Sequence, residues 1–301
     1  MLSNFKLRKK DRQDAKEPKD ASIWIKHGIS EFLGTIFLSF ALAGLSIVIG
    51  LDAKEKSGLD IIEFFFLHPV IVGFYAGFFV VGSVLVVCLR WSCDLNPAVT
   101  IYRLITGTNT YRYAFYKMAI QFVAAIVTGL IIYGFGSINA SKAQPATNFA
   151  IDALYASKET FTHTIGRNSI AGGTAWIFLI ELLMTSLLLF PIFSPSVSAK
   201  YRDLTICMVI SLVVFIGLLS GTAAINPARG LAQQIPGLFF GPEVGASSSW
   251  ASLLGGTFGM FFGGMLAPFV YVFMRGVSDR YINPVFVRMI EYKNNRFDNL
   301  K

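Results

Sequence analysis

Six stretches of this chain are apolar over roughly the length of a bilayer crossing, and that pattern restricts the fold more than anything else in the sequence. They run Ser22–Gly50, Leu67–Leu89, Tyr113–Tyr133, Gly172–Phe193, Leu204–Ser220 and Trp250–Phe273. A hydrocarbon core about 30 Å thick takes about 20 helical residues. No water reaches that core, so every backbone amide must find its partner within a helix or a closed barrel. Runs of this length select helices. Of 301 residues, 54% are hydrophobic, which excludes an ordinary soluble domain. The expected class is an all-α membrane protein with six transmembrane helices.

Between the spans, one tripeptide occurs twice, as Asn96-Pro97-Ala98 and Asn226-Pro227-Ala228. Asn is a strong helix N-cap and Pro fits the first helical position, so each triplet predicts a helix start. The helices that follow, Asn96–Ile105 and Asn226–Ile235, are about ten residues each and too short to span. They read as two re-entrant half-helices. Such backbone is tolerated at membrane depth only where protein or a watery cavity surrounds it. The halves of the chain also resemble one another. Glu31-Phe32-Leu33-Gly34-Thr35 matches Glu181-Leu182-Leu183-Met184-Thr185 in place, and each half then runs span, span, half-helix, span. Three spans per half is odd, so the repeat is 3+3 and inverted, with a site at the midplane where the broken helices meet.

Charge sets the expected orientation. Lysines and arginines fill both tails and positions Arg90, Arg103, Arg112, Lys117, Lys200 and Arg202, which the span pattern assigns to loops on one side. The other side holds only Lys54, Lys56, Lys142, Lys158 and Arg167. By the positive-inside bias both termini are cytoplasmic. The organisation read from the chain is a basic N-tail at 1–21, a channel domain at 22–275 and a basic C-tail at 276–301. The channel domain divides into repeat one (22–136), an outer connector (137–171) and repeat two (172–275). Residues 1–20 are charged without an apolar core, unlike a secretory signal. The net charge of +8 follows from these tails and does not call for nucleic acid as a partner. Cys88, Cys93 and Cys207 form no metal or disulfide pattern, and no metal, cofactor or enzyme chemistry is expected.

The polar residues at depth carry the chemistry. Each half-helix start bears roughly half a positive charge from its aligned dipoles. Asn96 and Asn226 add amide donors able to hold a passing hydroxyl oxygen, which would interrupt a proton-conducting chain. Arg229 follows the second triplet directly, and a charge at this depth is a functional candidate. Glu31 and Glu181 read either as proton relays or, preferably, as structural acceptors for the non-helical backbone before each half-helix. Cys93 lies in the loop before the first triplet, as a pore thiol or as an inert buried one. Asp94 reads as a local cap or a partner for Arg90.

Glu31–Thr35, both triplets, Arg229 and Gln121 together resemble the major intrinsic protein family, the aquaporins and aquaglyceroporins. The resemblance covers nearly all of residues 22–273. It implies a homotetramer in the cell membrane, one pore per subunit, passing water or small neutral solutes such as glycerol and excluding protons and ions. It also implies a narrow filter of four residues. Carried over by position, these are Arg229, Ala76, Val214 (or Val213) and Ala223. Water-selective members are similar to one another in placing a bulky aromatic and a His there. The small apolar residues here suit glycerol or a similar polyol, and Leu253 points the same way. The chain departs from the family at Trp91-Ser92-Cys93-Asp94 before the first triplet, and at Gly230, where glycerol-type members carry Asp. A water-selective pore, a secondary transporter using Glu31 and Glu181, and a non-conducting structural membrane protein are the alternatives.

Overall fold

A computed structural model describes residues 16–43, 69–88, 91–140, 169–195, 197–241 and 250–298. These residues are helical almost throughout. Their β-type pairing is one parallel bridge between Lys16 and Asn109. The helices are α1 (Ala21–Ala43), α2 (Pro69–Phe74), a π-helical stretch (Tyr75–Val81) leading into α3 (Gly82–Cys88), α4 (Pro97–Ile105) and α5 (Tyr111–Ala140). The second half follows with α6 (Ile170–Phe193), α7 (Arg202–Leu219), α8 (Pro227–Phe240) and α9 (Trp250–Val277). Among the described residues, five continuous helical segments are long and apolar enough to cross a membrane: Pro69–Cys88, Tyr111–Ser137, Ile170–Phe193, Ala199–Leu219 and Trp250–Lys293. α1 is a continuous helix whose apolar sequence includes Lys26 and Glu31. The rest of its expected span beyond residue 43 lies outside the described residues, as do Arg90 and most of the outer connector.

The helices are turned inside out relative to a soluble protein. On α1 the buried residues are Gly28, Ser30, Glu31, Gly34, Thr35, Ser39 and Ala43. Its outward face carries Ile25, Ile29, Leu33 and Phe37, repeating every four residues. Four residues is about one helical turn, so these side chains form one lipid-facing stripe. Small residues face inward because they let helix backbones approach closely. α6 packs along α9 in this way. A Cβ on Gly263 would stand 2.6 Å from the Phe178 carbonyl oxygen, so glycine sets that distance.

Two elements differ from the sequence reading. The sixth span, expected to end at Phe273, continues helically through Val277, a π-helical turn at Ser278–Ile282 and α10 (Asn283–Asp298). The C-terminal segment is therefore a helix as far as residue 298. The second span contains seven residues of π-helix. A π turn holds extra residues, and each extra residue rotates the preceding helix face by about 100° relative to an unbroken α-helix.

Candidate functional site

The two Asn-Pro starts meet at one point. Asn96 and Asn226 are extended N-caps with proline at the first helical position. Asn96 Oδ1 accepts from the Ala98 amide at 2.9 Å, and Asn226 Oδ1 accepts from the Ala228 and Arg229 amides at 3.0 and 3.3 Å. Each side-chain amide then reaches across to the other half. Asn96 Nδ2 donates to the Ile225 carbonyl at 3.0 Å, and Asn226 Nδ2 donates to the Leu95 carbonyl at 2.7 Å. A primary amide has two N–H donors, so each retains a second hydrogen after this cross-link.

Leu95 and Ile225 precede the asparagines, and both have left-handed φ, 49° and 56°. Bulky and β-branched residues avoid this region, at a cost of order 1–3 kcal/mol each. Two buried carboxylates hold the turns. Glu31 accepts from the Asp94 amide at 2.9 Å, the Leu95 amide at 2.7 Å, the Ser92 hydroxyl at 2.5 Å and Gln121 Nε2 at 2.8 Å. Glu181 accepts from the Ala224 amide at 2.8 Å, the Ile225 amide at 2.7 Å and the Thr222 hydroxyl at 2.5 Å. In lipid an unmet N–H costs several kcal/mol. The carboxylates thus offset both the unmet amides and the strained turns.

A cavity of about 350 Å³ runs alongside the asparagines. Leu38, Leu42, Val81, Leu85, Val99 and Ile210 form much of its apolar wall; Val214, Ala223, Cys93, Asn96 and Asn226 also line it. Ala76 does not line this cavity. It has no exposed surface and packs with Ile180, Met184 and Val213. Counting back from Asn96 points to Ala76 as a filter position, but it sits within the π-helical stretch, where a count cannot give the facing. Val213, the alternative to Val214, is in the same packed cluster. Arg229 is buried, with Nη2 donating to the Leu42 carbonyl at 2.6 Å and Nη1 to the Ala223 carbonyl at 3.4 Å. Leu253 is fully buried.

Gly230 has a packing explanation. A Cβ there would overlap the Met260 sulfur and stand 2.8 Å from Ala224 Cβ. Met260 fills the space an Asp side chain would need.

The largest departure from the sequence reading concerns charge. Asp94 is more than a local cap, and the expected pairing with Arg90 falls outside the described residues. Its carboxylate binds Lys117 Nζ at 2.5 Å and Arg103 Nε at 2.9 Å, and accepts from the Thr100 hydroxyl at 3.1 Å. Lys117 and Arg103, read as loop residues, lie within α5 and α4. Lys117 is buried beside the Tyr113 ring. A signal was available: Lys117 stands four residues before Gln121, and so shares its inward face. Another buried pair the sequence reading missed is Gln233 and Gln234 on α8; Gln234 Oε1 accepts from the Thr257 hydroxyl at 3.4 Å.

With this geometry in place, comparison with known proteins is informative. Residues 18–271 match the family model described as "Major intrinsic protein". The chain is 26% identical over 291 residues to "Aquaporin-3" of Milnesium tardigradum, covering 88% of this chain and 82% of that protein. Its fold is similar to that in the X-ray structure of the aquaglyceroporin from Plasmodium falciparum, with a TM-score of 0.56 and 16% identity over 87% of this chain and 98% of that one. A family match over most of the chain, on an all-helical fold with paired half-helices, places this chain in the major intrinsic protein family, whose members are membrane channels and not enzymes.

Proposed function

We propose that this multi-pass channel passes glycerol or similar linear polyols together with water, and excludes protons and ions. The observation that carries this reading is the wall of the cavity. Val214 and Ala223 are small and apolar, and they stand beside the donors Asn96 and Asn226. A polyol presents carbons on one side and hydroxyls on the other. Its carbons suit the apolar wall, and its hydroxyl oxygens suit the second N–H of each asparagine. Half-helix dipoles and an arginine are the general means by which aquaporin-type pores disfavour cations and hydronium. Arg229 takes that part here, with Ala223 and Val214 as filter neighbours. Pro97, Ala98, Pro227 and Ala228 form the half-helix starts, Glu31, Glu181 and Gln121 brace them, and Cys93 is a pore-lining thiol. The aquaglyceroporin named above supports the polyol reading by analogy of fold. The channel works as a homotetramer in the cell membrane with both termini cytoplasmic, as the family pattern and the distribution of basic residues suggest.

Stopped-flow light scattering on proteoliposomes tests the solute. Glycerol-driven reswelling well above that of empty liposomes is expected. A protein that speeds water but leaves glycerol at the empty-liposome rate would show a water-selective pore instead. Flux of glycerol should be indifferent to membrane potential and proton gradient, unlike that of a secondary transporter.

A further inference from the structure

We propose that the groove between the ends of α6 and α9 binds a phospholipid with a primary-amine headgroup, of the phosphatidylethanolamine kind. The proposal is independent of which solute the pore carries and needs only that the chain spans a bilayer.

α6 and α9 run parallel and stay close over their first part. Gly259 stands against Thr174 and Gly263 against Phe178, and the Ser186 hydroxyl donates to the Ala267 carbonyl at 3.2 Å. Glycines permit that approach. Past Ser186 the pair opens into a second cavity of about 440 Å³, where α9 carries Tyr271, Met274 and Arg275 instead of glycine. α6 stops at Phe193, while α9 continues into the π-helical turn. Ser278, Asp279 and Asn283 of that turn and its exit line the far end of the cavity. Leu187, Phe190, Phe273 and Met274 line its sides and are exposed, so on spanning helices the cavity opens toward lipid. Its volume lies within the range of small-molecule sites, about 300–1,000 Å³. That suits a headgroup and glycerol, with the acyl chains lying along the apolar flank.

The polar groups follow the order of a phospholipid. Tyr271, Arg275 and Asp279 are spaced by four residues and share one face. Tyr271 is the deepest of the three. It is buried, and among the described residues its hydroxyl has no hydrogen-bond partner. An unmet hydroxyl in an apolar setting is costly, and a glycerol ester carbonyl at that depth would accept from it. One turn further, Arg275 donates through Nη1 to the Tyr102 hydroxyl at 3.1 Å. A guanidinium has five N–H donors, and a phosphate is a natural acceptor for the others. One turn beyond lies Asp279. Its Oδ1 accepts from Asn283 Nδ2 at 3.0 Å, and its Oδ2 stands 3.7 Å from Arg275 Nε, too far for a hydrogen bond. The two charges adjoin without closing on each other, and both side chains are partly exposed, 38% and 54%.

Charge then selects the headgroup. Arg275 and Asp279 are the charged residues lining this cavity. Their sum is zero, which suits a zwitterion better than an anionic lipid. Ser278, Asp279 and Asn283 offer oxygen acceptors, which an ammonium with N–H donors can use. Choline has no N–H to give and is best held by aromatic rings.

The test uses the full-length protein in detergent micelles with equal amounts of dioleoyl phosphatidylethanolamine, phosphatidylcholine and phosphatidylglycerol. Native mass spectrometry reads the lipid retained, and a melting curve reads stabilisation. Wild type should retain the ethanolamine lipid about threefold over either competitor, as expected for one partly exposed ion pair. D279N should bring ethanolamine and choline lipids to parity. D279K should pass the preference to the glycerol headgroup, whose phosphate is its only charge. R275Q should weaken retention of all three. Should R275Q not fold, the exposed Asp279 variants carry the test alone. Equal retention by wild type overturns the proposal, as does a wild-type preference unchanged in D279N and D279K. Preference of wild type for the anionic lipid would show plain attraction to basic residues. No retained lipid would show a groove filled by another copy of the chain. Either result also overturns it.

Discussion

The two half-helices begin alike and continue differently. At the start each has Asn-Pro, a preceding residue with positive φ, and a glutamate taking two backbone amides. After the first turn the likeness ends. α4 is nine residues long and ends near Arg103, which Asp94 holds together with Lys117. α8 is fourteen residues long and places Arg229 next to its start, held by carbonyls. The shared part lies where both halves face the same midplane, so the same chemistry serves both. The divergent part lies farther along each half-helix, where the surroundings differ.

The largest effect should come from attacking what the halves share. Replacing Glu181 by Leu strands the Ala224 and Ile225 amides and should cost about 3–5 kcal/mol, by analogy with breaking a buried charged network. Glu31→Leu should cost a similar amount in denaturant or thermal unfolding in detergent. A gap of more than about 2 kcal/mol between the two variants would break the equivalence. Asp94→Asn tests the part the second half lacks. It leaves Lys117 buried without a carboxylate and should cost about 3 kcal/mol. A loss below about 1 kcal/mol would mean the network adds nothing to stability. The smallest effect tests the mouth of the second half. Gly230→Asp overpacks Met260 and Ala224 and should cost about 2 kcal/mol. Adding Met260→Ala should recover part of the loss, which a melting curve would show; no recovery would exclude Met260 as the obstacle.

Much of this was legible in the sequence because lipid leaves few choices. Long apolar runs must be helices, and Asn-Pro must start one, so the spans and the half-helices could be placed before any coordinates. Three things could not. The π-helical stretch obeys no apolar period, so Ala76 could be counted to but not faced. The charged residues of α4 and α5 look like loop basics until Asp94 is seen to draw them inward. The helix after Phe273 has too mixed a sequence to read as a span, although it continues one.

The crossed asparagine bonds also bear on how the chain is made. Asn96 and the Ile225 carbonyl are 129 residues apart, and Asn226 and the Leu95 carbonyl are 131 apart. At ribosomal speeds of about 5–20 residues per second, the first half-helix waits on the order of 6 to 26 s for its partner to be synthesised. During that interval the amide of Asn96 lacks its acceptor, and the carbonyl of Leu95 lacks its donor. The first repeat therefore leaves the ribosome unfinished and is completed by the second, which makes assembly of the midplane a late event in biosynthesis.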